Sequence, residues 1–154
     1  MLPQKIKKFL ESKKVKYELL EHKTVYTAFD KAATLKVPLK RIGKTVIVSS
    51  NQKLAIVLIP GDKKIDLKKI KKFLGNKVKL ASEKKIQRAF SKVKLGAIPP
   101  FGDIWKVPTL VDKKILKEKK IILNGGDHSI SIQISPSNLK KLLSNAIFGT
   151  FTQS

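Results

Sequence analysis

The longest uninterrupted apolar run in this chain is Leu54–Pro60, seven residues. A membrane-crossing helix needs about 20. The run is instead one of many short apolar clusters, each bounded by turn residues, that recur along all 154 residues. Elements must therefore be short and must alternate, as in a compact mixed α/β domain. Hydrophobic residues make up 42% of the chain, enough for a core, and a chain this long buries roughly 70% of its unfolded surface. The expectation is one domain, 1–154, with no linker, low-complexity block or internal repeat.

Local signals place the elements. Ile6, Phe9 and Leu10 sit at helical spacing, so residues 4–13 read as a helix. Residues 15–21 alternate as a strand. Thr27 caps a helix that runs to about Lys36 and ends at Val37-Pro38. Thr45–Val48 is a β-branched strand, Ser49–Gln52 turns, and Leu54–Ile59 returns. Asp66 caps a helix to Leu74, with Leu67, Ile70, Phe73 and Leu74 inward, and Gly75 follows it. Val78–Leu80 is a short strand, and Ser82 caps a helix to about Phe90. After a loop-rich stretch, 91–108, come strands at 109–111 and 121–123, a turn at Asn124–Asp127 and a strand at 129–134. Ser135 and Pro136 open a last helix. The total is six or seven strands, four or five helices and a mixed sheet.

Charge is the second constraint. The chain carries 34 Lys and Arg against 11 Asp and Glu, a formal net charge of +23, which points to a polyanionic partner. Only Arg41 and Arg88 are arginines, however, and base reading favours Arg. Phosphate contact without sequence preference fits better, beside the alternative that the lysines simply solvate the surface. Between Leu67 and Gly102 there are eleven basic residues and one acid, Glu83. Within this stretch Lys68, Lys69, Lys72, Lys84, Lys85 and Arg88 are candidate phosphate contacts, or equally the wet faces of two amphipathic helices.

Cysteine is absent and the only histidines are His22 and His128, which removes disulfides, thiolate zinc sites and cysteine nucleophiles and disfavours a multi-His metal site. No signal-peptide core appears at the N-terminus, and the expectation is a soluble, cytoplasmic protein. Gly43-Lys44-Thr45 lacks the first glycine of a phosphate-binding loop and is no NTP site. Gly96-Ala97-Ile98-Pro99-Pro100-Phe101-Gly102, a diproline between two glycines, reads either as a rigid pocket wall or as an ordinary turn.

Six pieces in order resemble the YbaK / prolyl-tRNA synthetase editing-domain family. They are Glu21-His22 with Tyr26-Thr27-Ala28; Gly43-Lys44-Thr45-Val46; Leu58-Ile59-Pro60 with Ile65-Asp66-Leu67; Val78–Ser82 with the 96–102 loop; Pro108–Asp112; and Asn124–His128 before Ser135-Pro136. The resemblance implies a barrel-like mixed sheet surrounded by helices, and hydrolysis of the ester joining a mischarged small amino acid (Ala, Cys, Ser, Thr or Pro) to the 3′-terminal adenosine of tRNA. It implies no cofactor and no metal. Lys44 would be the catalytic lysine, its ammonium facing the developing negative charge. Thr45, Gly96, Ala97, Ile98, Pro99, Pro100, His128, His22 and Phe29 would form the substrate pocket, with backbone N–H groups near Gly96-Ala97 as further donors. His128 resembles a residue found in part of the family, and Leu20, Asn124 and Ser131 depart from its commoner residues, which bears on amino-acid choice. The partner would be tRNA, with association with an aminoacyl-tRNA synthetase as a further expectation. The alternative is a non-catalytic tRNA- or RNA-binding protein of the same fold.

Overall fold

A computed structural model describes residues 2–154. Five α-helices and eight strands follow the chain as α1 (Gln4–Lys13), β1 (Glu18–Glu21), α2 (Ala28–Leu35), β2 (Gly43–Ser50), β3 (Lys53–Pro60), α3 (Leu67–Leu74), β4 (Lys79–Leu80), α4 (Glu83–Ala89), β5 (Thr109–Asp112), β6 (Ile121–Asp127), β7 (Ile130–Ile134), α5 (Pro136–Leu142) and β8 (Ile147–Gly149). Helix starts follow the side-chain caps expected from sequence. Thr27, Asp66, Ser82 and Ser135 each accept a hydrogen bond from a first-turn N–H.

The strands form two sheets. One is antiparallel, ordered β1-β7-β6; the other is mixed, ordered β4-β2-β3-β5-β8. Within the second, β2 pairs antiparallel with β3 over all eight residues, whereas β3–β5 and β5–β8 are parallel. The β2–β3 loop is only Asn51-Gln52, both at positive φ (50° and 71°), the geometry that matches strand twist in a two-residue hairpin. A single parallel bridge, Ile42 to Ile122, joins the sheets. The expected barrel therefore does not close: β4 and β8 are edges of the larger sheet.

Strand β3 explains the longest apolar run. It is covered on both faces, so Ala55–Pro60 are all buried rather than alternating. Leu58 packs with Ile6, Leu10, Phe101 and Val111, while Val57 and Ile59 pack with Ile70, Leu110 and Phe151 on the other side. Asp112 ties down the C-terminus: its buried carboxylate accepts from Phe151 N (2.8 Å), Thr152 Oγ1 (3.0 Å) and Lys114 N (2.9 Å).

Several expectations are corrected. Asn124–Asp127 is not a turn but a bulged continuation of β6, and the hairpin to β7 reverses over His128-Ser129. The glycine pair is needed for the bulge: Gly126 has φ +91°, and a Cβ there would lie 2.5 Å from Ile6 Cδ1. The first strand is shorter, beginning at Glu18. Phe73 is half exposed and meets Phe151 edge-on at 5.2 Å rather than lying fully inward. Strand β8 was not expected.

Candidate active site

Lys44 and Thr45 are delivered by the start of β2, opposite Ile59 and Leu58 of β3. The N-terminal turn of α2 stands across from them, and the 94–97 segment and the β6 bulge close the remaining sides. That segment is laced to the bulge: Lys94 N donates to Gly126 O (3.0 Å) and Gly126 N to Ala97 O (2.8 Å). Together they enclose a cavity of about 230 Å³ between α2, Gly43–Thr45, Gly96-Ala97, Asn124 and Asp127-His128. Drug-sized ligand pockets run from roughly 300 Å³ upward, so this one fits an amino-acid-sized group. A wider groove of about 450 Å³ shares Lys44, Thr45, Gly96 and Asn124 and runs on toward Leu80, Ala81, Glu83 and Ile86 at the base of α4.

Lys44 is partly exposed and lines both cavity and groove; its Nζ donates to the carbonyl of Lys63, a residue that lines neither, at 3.1 Å. Thr45 Oγ1 is buried without a hydrogen-bond partner. Gly96 has φ +85°, and a Cβ there would approach His128 Cε1 to 3.3 Å, so glycine lets the loop pass close to the imidazole. His128 also packs against Tyr26, with ring centroids 4.8 Å apart.

Asp127 is engaged within the protein. Lys94 Nζ lies 2.8 Å from one carboxylate oxygen, while Ser129 Oγ (2.7 Å) and N (3.0 Å) donate to the other. These contacts, Lys94 first, hold the carboxyl well below the usual carboxylate range and raise the Lys94 ammonium.

A second lysine of the cavity was not singled out from the sequence. Lys31, on α2, is only 7% exposed, and its Nζ donates to Asn124 Oδ1 at 2.9 Å. Asn124 Nδ2 donates in turn to the Ile98 carbonyl (3.1 Å). Burial pushes the Lys31 ammonium down to about 8. Its signal in the sequence is faint, one lysine beside Ala28, Ala32 and Ala33 on the same helix.

The sequence-derived residues divide. Lys44, Thr45, Gly96, Ala97 and His128 come together around the cavity, and Ile98 lines the groove. Pro99 and Pro100 are buried behind the wall and line neither. The Ala97 N–H is spent on the Lys94 carbonyl (3.0 Å) and is not an available donor. His22 stands outside the cavity: its Nδ1 donates to the Lys23 carbonyl (2.8 Å), and its Nε2 meets Ser131 Oγ at 2.9 Å. Phe29 is 71% exposed, outside the lining on the solvent side of α2. On α3, Lys68 and Lys72 are exposed, whereas Lys69 Nζ donates to the Thr152 carbonyl (2.6 Å). On α4, Lys84 is exposed, and Lys85 and Arg88 face a separate shallow hollow beside Gln52 and Leu54.

The chain matches the aminoacyl-tRNA editing domain family over residues 22–142, and its fold is that of an editing domain. It belongs to that family, whose reaction is hydrolysis of a mischarged aminoacyl-tRNA. Among relatives, the prolyl-tRNA editing protein ProX of Acetoanaerobium sticklandii is 27% identical over 141 residues, covering 87% of this chain and 85% of that one. The proline–tRNA ligase of Thermosipho melanesiensis is 31% identical over 109 residues, 70% of this chain but only 19% of the ligase. The crystal structure of a hypothetical protein superposes with a TM-score of 0.87 at 25% identity, covering 97% of this chain and 100% of that one. No helix among the described residues is long and apolar enough to cross a membrane.

Proposed function

We propose that the protein is a trans-editing deacylase that removes a small amino acid, such as Ala, Cys, Ser, Thr or Pro, from a mischarged tRNA in the cytoplasm. The observation that carries the reading is the amino-acid-sized cavity with Lys44 on the wall it shares with a wider groove. The aminoacyl group occupies the cavity, and the terminal adenosine lies in the groove. The ester is already activated, so the site supplies position and charge rather than a nucleophilic side chain. Water adds to the ester carbonyl, and the Lys44 ammonium, released from the Lys63 carbonyl, faces the oxygen that becomes negative. Collapse breaks the bond to the ribose oxygen, which takes a proton; free amino acid and a tRNA 3′-terminal hydroxyl result. No metal takes part, and the rate is indifferent to chelators.

The exposed lysines of α3 and α4 hold the acceptor stem by phosphate contact. The partial match to a proline–tRNA ligase supports association with such a synthetase. The test is a deacylation panel over tRNAs charged with the five amino acids. Rapid loss of one or two species supports the reading; salt-sensitive tRNA binding with no loss of any charged species moves it to the non-catalytic RNA-binding alternative.

A further inference from the structure

The cavity holds polar groups that the protein does not complete. A protonated lysine has three N–H donors, and Lys31 uses one of them on Asn124, at 7% exposure. Among the described residues the only carboxylate lining the cavity, Asp127, is already taken by Lys94 and Ser129. Thr45, which also lines the cavity, has its Oγ1 buried in the wall behind it without a hydrogen-bond partner. Buried donors without acceptors are costly and are rarely left so, unless a ligand supplies the missing partner.

We propose that Lys31 is a specificity-determining residue, and that the cavity selects aminoacyl groups whose short side chain carries an oxygen acceptor. The inference rests on the deacylase reading above and narrows its substrate. The side-chain oxygen accepts from Lys31 Nζ, in place of water, at the end of the cavity where Asn124 also stands. An aminoacyl group with a wholly apolar side chain fills the same space and leaves the ammonium without that acceptor, so it is rejected by the unpaired donor rather than by size. Because the Lys31 ammonium is held near 8 rather than lower, it remains mostly protonated, and so a donor, at neutral pH.

The experiment compares kcat/KM for Ser-, Thr- and Asp-tRNA with that for Ala-, Cys- and Pro-tRNA in the wild type, Lys31→Met and Lys31→Gln, with thermal melts confirming that each variant is folded. The expected result is a wild-type preference for the first group that falls about 10- to 100-fold in Lys31→Met, the loss of one charged hydrogen bond, and is partly restored by the shorter donor in Lys31→Gln. Response of the Ser and Thr arms assigns a hydroxyl, and response of the Asp arm a carboxylate. A wild type that prefers Ala, Cys or Pro, or an unchanged ratio in Lys31→Met, overturns the inference while leaving the deacylase reading intact. Hydrolysis of none of the six defeats the deacylase reading itself, and the inference with it.

Discussion

Replacing Lys31 with Met stabilises the protein at neutral pH. Burial lowers this ammonium from the ordinary lysine value of 10.5 to about 8. At about 1.4 kcal/mol per tenfold, the folded state at pH 7 carries a penalty of ~3 kcal/mol relative to a neutral side chain. Met fills similar space without charge and forfeits the charged bond to Asn124, worth about 2 kcal/mol. The net gain is ~1 kcal/mol, or a rise in Tm of about 2–4 °C for a chain of this size. The gain also depends on pH. Between about 8 and 10.5 the unfolded lysine holds a proton that the folded one has released, so wild-type stability rises with pH across that window. The advantage of Met therefore shrinks as pH climbs from 7 toward 10. Urea unfolding of both proteins at pH 7 and pH 10 measures this directly. A variant less stable than wild type at pH 7, or a difference unaffected by pH, refutes the reasoning.

Three further outcomes follow from the geometry. Asp112→Ala strands the Phe151 N–H and the Thr152 hydroxyl in the interior and should cost about 2–4 kcal/mol, read as a lower denaturation midpoint without loss of the deacylation site. Gly96→Ala forces a side chain to φ +85° and against His128, and should lower deacylation by distorting the wall while costing about 1–2 kcal/mol of stability. Replacing Lys84, Lys85 and Arg88 together by Ala should weaken tRNA binding and flatten its log–log salt dependence by about 2, measured by fluorescence anisotropy; an unchanged slope would place the tRNA elsewhere.

How much of this was legible follows from range. The helix caps at Thr27, Asp66, Ser82 and Ser135 are local chemistry, and each stands where the sequence puts it. The β2–β3 hairpin was legible for the same reason, since two β-branched runs flank a short polar turn. Gly125-Gly126 misled because a glycine pair serves a bulge as well as a turn, and only the approach of Ile6 from α1 decides between them. Strand β8 is three residues whose pairing with β5 depends on where α5 delivers the chain. Lys44 could be marked only by its motif. Lys31 stands out only faintly among 32 lysines, because its burial and its bond to Asn124, 93 residues away, arise only when α2 packs against β6. The Ala97 N–H looks free in the sequence because its partner, the Lys94 carbonyl, meets it only when the loop folds back.

The central claim is that Lys44 stabilises the charge developing on the ester carbonyl. Single-turnover deacylation of the preferred charged tRNA by wild type and Lys44→Ala, with tRNA affinity measured alongside, tests it most directly. The account predicts a rate lower by about 10²–10³-fold in the variant at nearly unchanged affinity, the size expected for losing one such donor. A folded Lys44→Ala protein that deacylates as fast as wild type would contradict it.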